Sequence, residues 1–140
     1  MAFTFALPVR FADVDHAGIV YYPRFFHYFH VAFEELWRAR IGPTAYSELI
    51  DRDRVGFPAV KADCEFTAPL RFGDSIEIAI TIPRLGTKSI TFRYTITHER
   101  TRALCATGHV TCAVVDLAKF VAIPVPERVR DMLRDLVVSA

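Results

Sequence analysis

Two aspartates and a histidine stand close together at Asp13, Asp15 and His16, followed by Ala17-Gly18-Ile19-Val20-Tyr21-Tyr22-Pro23. Carboxylates in an otherwise apolar neighbourhood are expensive to bury unless they are hydrogen-bonded or put to use. At least one of the pair is expected to be functional. The alternative is that both are turn residues, since Asp bonds its own backbone in Asx-turns and caps helices. The following residues favour chemistry. A helix start carries free N–H groups and partial positive charge, and a preceding glycine lets another molecule approach the backbone closely. Gly18 and the Tyr21-Tyr22-Pro23 entry supply both features. Pro23 has no N–H, so the donors around the turn are those of residues such as Tyr22 and Arg24. A carbonyl oxygen held there is stabilised as it gains negative charge, and a carboxylate a few residues upstream can attack that carbonyl or activate water beside it. This is a hydrolase geometry.

The elements that must position these groups follow from hydrophobic period. Phe3, Phe5 and Leu7 alternate with Thr4 and Ala6, and Val9 to Phe11 extends the pattern, so the chain is expected to open with a strand. After an irregular stretch from Ala12 to Tyr22 the period changes. From Pro23 to Arg40, steps of about 100° place Phe25, Phe26, Phe29, Ala32, Phe33, Leu36, Trp37 and Ala39 within an arc of roughly 160°. That predicts an amphipathic helix, opened by Pro23 and ended by Gly42-Pro43. Its aromatic face calls for a broad apolar partner. Val55 to Leu70, Ser75 to Leu85, Lys88 to Arg100 and Ala103 to Leu117 read as four long strands with short connections, which are expected to pair as antiparallel neighbours. Alternation in Ile76, Ile78, Ile80, Ile82 and in Ile90, Phe92, Tyr94, Ile96 gives the sheet one apolar face for the helix to cover. Pro124 and Pro126 introduce a last helix, Glu127 to Val138, expected to serve packing.

Composition narrows the function classes. The 140 residues are one domain's worth, 52% hydrophobic and 24% charged, with no tract poor enough in apolar residues to stay unfolded. Seventeen basic against sixteen acidic residues give a net charge of +1, with no block of either sign, which argues against nucleic acid as a partner. The longest run free of Asp, Glu, Lys and Arg, Ala103 to Val115, is too short and too polar for a membrane span. The amino terminus lacks the features of a secretory signal. Cys64, Cys105 and Cys112 form no C-x-x-C pair, against a disulfide framework or a cysteine zinc site, and a cytoplasmic location is expected. His16, His27 and His30 can be drawn as metal ligands with Asp13 and Asp15. However, His27 and His30 lie about 60° apart on the polar side of the helix, and that spacing chelates only if other ligands converge there. No metal and no cofactor are expected.

The string Phe11-Ala-Asp-Val-Asp-His-Ala-Gly-Ile-Val-Tyr-Tyr-Pro23, followed by an aromatic helix, resembles the signature of the hotdog-fold acyl-CoA thioesterases of the 4-hydroxybenzoyl-CoA thioesterase type. The order of elements agrees over nearly the whole chain. The resemblance implies an α+β hotdog fold over residues 1–140, a long central helix packed on a five-stranded antiparallel sheet. It implies hydrolysis of an acyl-CoA to free acid and coenzyme A, with Asp15 as nucleophile or general base and the Tyr22 N–H on the thioester oxygen. It further implies that the backbone of Phe57, Pro58 and Ala59, within Val55-Gly-Phe-Pro-Ala-Val60, borders the acyl-thioester channel, and that Thr87, Lys88 and Ser89 meet the nucleotide end of coenzyme A; Gly18 is counted with them as substrate-binding. Family members form dimers with sites between subunits, and often tetramers, so a homodimer or homotetramer is expected. The acyl group stays open between aromatic, short and medium chains. The alternatives are a non-catalytic acyl-CoA or acyl-carrier-protein binding module of the same architecture, and a metal-dependent hydrolase.

Overall fold

A computed structural model describes residues 1–139. Strand β1 (Phe3–Pro8) leads through a short 3-10 turn (Phe11–Asp13) to helix α1 (Arg24–Arg40) and helix α2 (Ala45–Asp51). Then come β2 (Val55–Gly56), β3 (Ala59–Phe66), β4 (Ser75–Leu85), β5 (Ser89–His98), β6 (Leu104–Ala113), β7 (Val115–Asp116) and β8 (Val121–Ala122). Helix α3 (Glu127–Leu133) and a 3-10 turn (Arg134–Leu136) follow. The architecture is mixed α/β around an antiparallel five-stranded sheet in the order β1-β4-β5-β6-β3, and β2, β7 and β8 make a second, small sheet.

Two-residue alternation delivers the apolar face the sequence calls for. Ile76, Ile78, Ile80 and Ile82 are fully buried, as are Ile90 and Ile96, with Phe92 and Tyr94 nearly so. The 17 residues of α1 lay Phe25, Phe29, Phe33, Leu36 and Trp37 into the core. Phe29 stacks on Tyr94 with centroids 4.8 Å apart, and Phe33 meets Phe92 edge-on at 5.3 Å. Phe26 and Ala39, placed on the apolar arc by period, stay exposed, whereas Tyr28, absent from that arc, is buried.

Three expectations are corrected. Val55 to Leu70 is not one strand, because Phe57-Pro58 interrupts it between β2 and β3. β3 and β4 are not neighbours: β3 pairs with β6 at the sheet edge, and residues 67–74 carry the chain past two strands, β6 and β5, to β4. A short connection fixes direction only when both strands already lie side by side. The final helix ends at Leu133 and tightens into a 3-10 turn, and Arg40 holds that turn by donating to Asp135 and to the Met132 carbonyl. Among the described residues no helix is long and apolar enough to cross a membrane.

One glycine sets how closely α1 lies on the sheet. A Cβ at Gly108, which opposes Tyr94 on β5, would stand 2.3 Å from the Phe29 ring and 3.0 Å from the Asp63 carbonyl oxygen. Gly108→Ala is therefore expected to lift α1 and cost about 1–3 kcal/mol through overpacking, measured as a lowered thermal midpoint with unchanged secondary structure.

Candidate active site

The segment from Arg10 to Pro23 has no long element of its own and is shaped by local hydrogen bonds. A bridge joins Val14 to Val20 in antiparallel sense, and the turn between them closes through Asp15 N–H to the Ile19 carbonyl (2.9 Å) and Gly18 N–H to the Asp15 carbonyl (3.0 Å). Gly18 sits at φ +85, a conformation open to glycine and strained for other residues. Val20 N–H donates to the Leu70 carbonyl at 2.8 Å, which ties the loop to the approach to β4.

The two aspartates have different circumstances. Asp13 is 5% exposed, and all its contacts are donors: Arg10 N–H (2.8 Å) and Tyr28 O–H (2.9 Å) reach Oδ2, while Arg24 Nε reaches Oδ1 at 3.1 Å. Both oxygens are therefore engaged in holding the loop to α1. Burial, and next the Asp13 bond, push the Tyr28 hydroxyl well above the usual phenol range, so it stays a donor. Asp15 is half-buried, and its Oδ1 accepts the Ala17 N–H at 2.8 Å in an Asx-turn. Among the described residues no donor reaches Asp15 Oδ2. The turn-residue reading thus accounts for one local bond at each aspartate, Arg10 N–H on Asp13 and Ala17 N–H on Asp15, while the rest of Asp13 is taken up by side chains of α1. The side-chain roles of Arg24 and Tyr28 escape the sequence reading; the available signal was that position 28 falls three after Phe25 and four before Ala32, at the border of the apolar arc.

The helix start separates the two candidate donors. Arg24 N–H donates to the Tyr21 carbonyl (2.8 Å), Phe25 N–H to Tyr22 (3.2 Å) and Phe26 N–H to Pro23 (3.2 Å), while Tyr21 N–H is taken by the Asp13 carbonyl at 2.9 Å. Arg24 is therefore unavailable. The Tyr22 N–H has no acceptor among the described residues, and no acidic side chain sits in the first turn of α1 to compete with an incoming anion.

Two apolar cavities flank α1. The smaller, about 340 Å³, is bordered by Ile19, Val20, Tyr22, Phe25, Phe66 and the backbone leading to Leu70. The larger, about 370 Å³, lies between α1, α2 and the β3, β5 and β6 strands, against Phe29, Phe33, Tyr46, Phe57, Ala59 and Tyr94, with Cys112 among its walls. Burial pushes the Cys112 thiol up to about 11, so at neutral pH it is an SH group and no nucleophile. Phe57 and Ala59 thus share a cavity, and Pro58 uses its carbonyl on Ala113 N–H. Asp15 borders neither cavity, although its loop neighbour Ile19 borders the smaller.

Thr87, Lys88 and Ser89 stand at the other end of β4 and β5, about 30 Å along the strands from Ser75. There Thr87 O accepts Val125 N–H (2.9 Å), Lys88 O accepts Val114 N–H (3.0 Å), and the Lys88 side chain is exposed. Within one chain they do not meet Asp15 and Tyr22. His16 and His27 are exposed, and His30 pairs with Glu34 at 2.8 Å.

Comparison with known proteins bears on this arrangement. A 1,4-dihydroxy-2-naphthoyl-CoA hydrolase of Nostoc punctiforme is 32% identical over 111 residues, 79% of this chain and 74% of that protein. The crystal structure of a 1,4-dihydroxy-2-naphthoyl-CoA thioesterase from Synechocystis superposes with a TM-score of 0.89 at 25% identity, covering 97% of this chain and 98% of that one. A gentisyl-coenzyme A thioesterase structure superposes at 0.80 with 34% identity, covering 91% and 98%. The profile of the thioesterase-like superfamily matches residues 9–133, a span that takes in the aspartate loop, the helix start and both cavities. This chain therefore belongs to the thioesterase-like superfamily.

Proposed function

We propose that the chain is an acyl-CoA thioesterase acting on an aromatic acyl-CoA. Water adds its oxygen to the acyl carbon, the carbon–sulfur bond breaks, and coenzyme A leaves as the thiol. The observation that carries this reading is the unpaired Tyr22 N–H at the start of α1, beside a loop whose Asp15 keeps one oxygen free. The amide and helix dipole stabilise the oxyanion, and Asp15 attacks the carbonyl or takes a proton from water. The relatives described above, named for dihydroxynaphthoyl-CoA and gentisyl-CoA, support the reaction, and the aromatic walls of the larger cavity favour a flat acyl group.

The residues are best accommodated as a single hotdog domain, 1–140, with the sheet wrapped on α1, in a cytoplasmic homodimer or homotetramer. β3 is an open edge, and its Val60 (66% exposed) and Phe66 (47%) are unusual on a solvated strand. Pairing of two such edges about a two-fold axis through the strand's midpoint sets the Ala59 end of one copy beside the Phe66 end of the other. The Phe57–Ala59 cavity of one subunit then adjoins the Tyr22 cavity and Asp15 of its mate. Gly18 leaves that approach clear, with nothing within 4 Å of a Cβ at its position. Thr87, Lys88 and Ser89 contact the nucleotide of a substrate held mainly by another subunit. Accordingly, Lys88→Ala should raise KM for acyl-CoA about 2- to 5-fold with kcat little changed, the scale of one exposed charge contact.

The test is release of coenzyme A thiol from a panel of aroyl- and alkanoyl-CoA thioesters, read with a thiol-reactive dye. Turnover of aroyl-CoA is expected. Tight binding without thiol release would instead mark an acyl-CoA binding module. Single turnover in ¹⁸O-water, with mass analysis of the quenched enzyme, distinguishes the two roles of Asp15: label in its carboxylate, or an acylated Asp15, marks an anhydride, and label in the product with no acylated enzyme marks a general base.

A further inference from the structure

The larger cavity has few polar groups, and one of them stands out. Tyr94 is 3% exposed, its ring held between Phe29 (4.8 Å, 13° between planes) and Phe92 (6.2 Å, 30°). The stack on Phe29 exists only because residue 108, opposite Tyr94, is glycine. A buried phenol ordinarily hydrogen-bonds. The Tyr94 hydroxyl makes no hydrogen bond among the described residues, although the Trp37 indole N–H is the only fully enclosed side-chain polar atom there left without a partner. The Tyr94 hydroxyl is therefore not sealed in the protein, and Tyr94 borders the larger cavity.

The other polar groups around the cavity are less suited to meet a ligand. His30 is engaged by Glu34, Cys112 carries a weakly donating SH, and Tyr46 is only half-buried. Burial pushes the Tyr94 phenol above its ordinary range, which keeps the proton on and the group a donor at any physiological pH. A dry apolar cavity of about 150 Å³ accepts a benzene ring, so 370 Å³ has room for one ring or two fused rings.

We infer that Tyr94 is a specificity-determining residue that hydrogen-bonds a ring hydroxyl of the aromatic acyl group, with Phe29, Phe33 and Phe57 forming the walls around that ring. This rests on the thioesterase reading above and adds to it the residue that discriminates hydroxylated from plain aryl substrates. Loss of a ring hydroxyl leaves the Tyr94 donor unpaired in an apolar site, the situation in which enzymes discriminate most strongly against the analogue lacking the group.

The test compares kcat/KM for benzoyl-CoA and for the three monohydroxybenzoyl-CoA isomers, using the full chain and its Tyr94→Phe and Tyr46→Phe variants, with melting curves to verify folding. The wild type is expected to favour at least one hydroxylated isomer over benzoyl-CoA by about 10-fold or more. Tyr94→Phe should reduce that ratio to within about 2-fold of unity, while Tyr46→Phe preserves it. A ratio unchanged in Tyr94→Phe, or one lost in Tyr46→Phe alone, overturns the inference while leaving the thioesterase reading intact. If the wild type releases no thiol from any of the four, the thioesterase reading fails and this inference with it. Should Tyr94→Phe prove unfolded, Tyr94→Met supplies the same ratio from an apolar side chain.

Discussion

Asp15→Asn is expected to lower kcat for acyl-CoA hydrolysis by about 10³-fold or more, the scale on which principal catalytic groups act, with the melting temperature nearly unchanged. The substitution suits the question because it spares the turn. Asparagine retains Oδ1 as an acceptor for the Ala17 N–H, and the backbone bonds from Asp15 to Ile19 and Gly18 involve no side chain. Only Oδ2, to which no donor points, changes its chemistry: an amide neither attacks a thioester nor takes a proton from water. A folded Asp15→Asn enzyme that keeps most of its kcat would remove Asp15 from the mechanism.

Asp13→Ala has the opposite signature. It strips the acceptor from Tyr28 O–H, Arg10 N–H and Arg24 Nε together, leaving a buried hydroxyl and a half-exposed guanidinium without their partner. Breaking a buried pair by deleting one member costs about 3–5 kcal/mol, and partial exposure of Arg24 lowers this to about 2–4 kcal/mol. For a chain of this size that is a fall of roughly 7–14 °C in melting temperature. Asp13→Asn should fall between, since one oxygen cannot serve three donors. The two aspartates thus separate by readout, one in turnover and the other in thermal stability, although the sequence presents them as a near-equivalent pair.

Much of the framework is visible in residue period alone. The isoleucines of β4, the Phe92 and Tyr94 face of β5 and the aromatic stripe of α1 follow from alternation and helical spacing, because each element buries a single face. The order of strands does not follow, since pairing of β3 with β6 is a non-local choice that no turn residue announces. α2 escapes notice because seven residues with one buried leucine carry little period. In the site, the D-x-D-x-x-G string and the Tyr22-Pro23 entry mark the place. Which aspartate is sequestered depends on Tyr28 and Arg24 reaching back from α1, and that contact spans fifteen residues for Tyr28 and eleven for Arg24. The Tyr94 hydroxyl is hidden in the same way: along β5 the residue is one more member of the apolar face, and its unpaired donor emerges only once the helix and β3 enclose a space around it.

The most direct measurement is a crystal structure of the protein with a non-hydrolysable aroyl-CoA analogue in which a methylene group separates the carbonyl from the sulfur. Attack and charge stabilisation must occur on one carbonyl, so the analogue's oxygen should lie about 3 Å from Tyr22 N, with an Asp15 carboxylate of the same site within reach of the carbon. An analogue whose carbonyl sits away from the start of α1, or faces the amide while every Asp15 in the assembly lies beyond contact, would contradict the account.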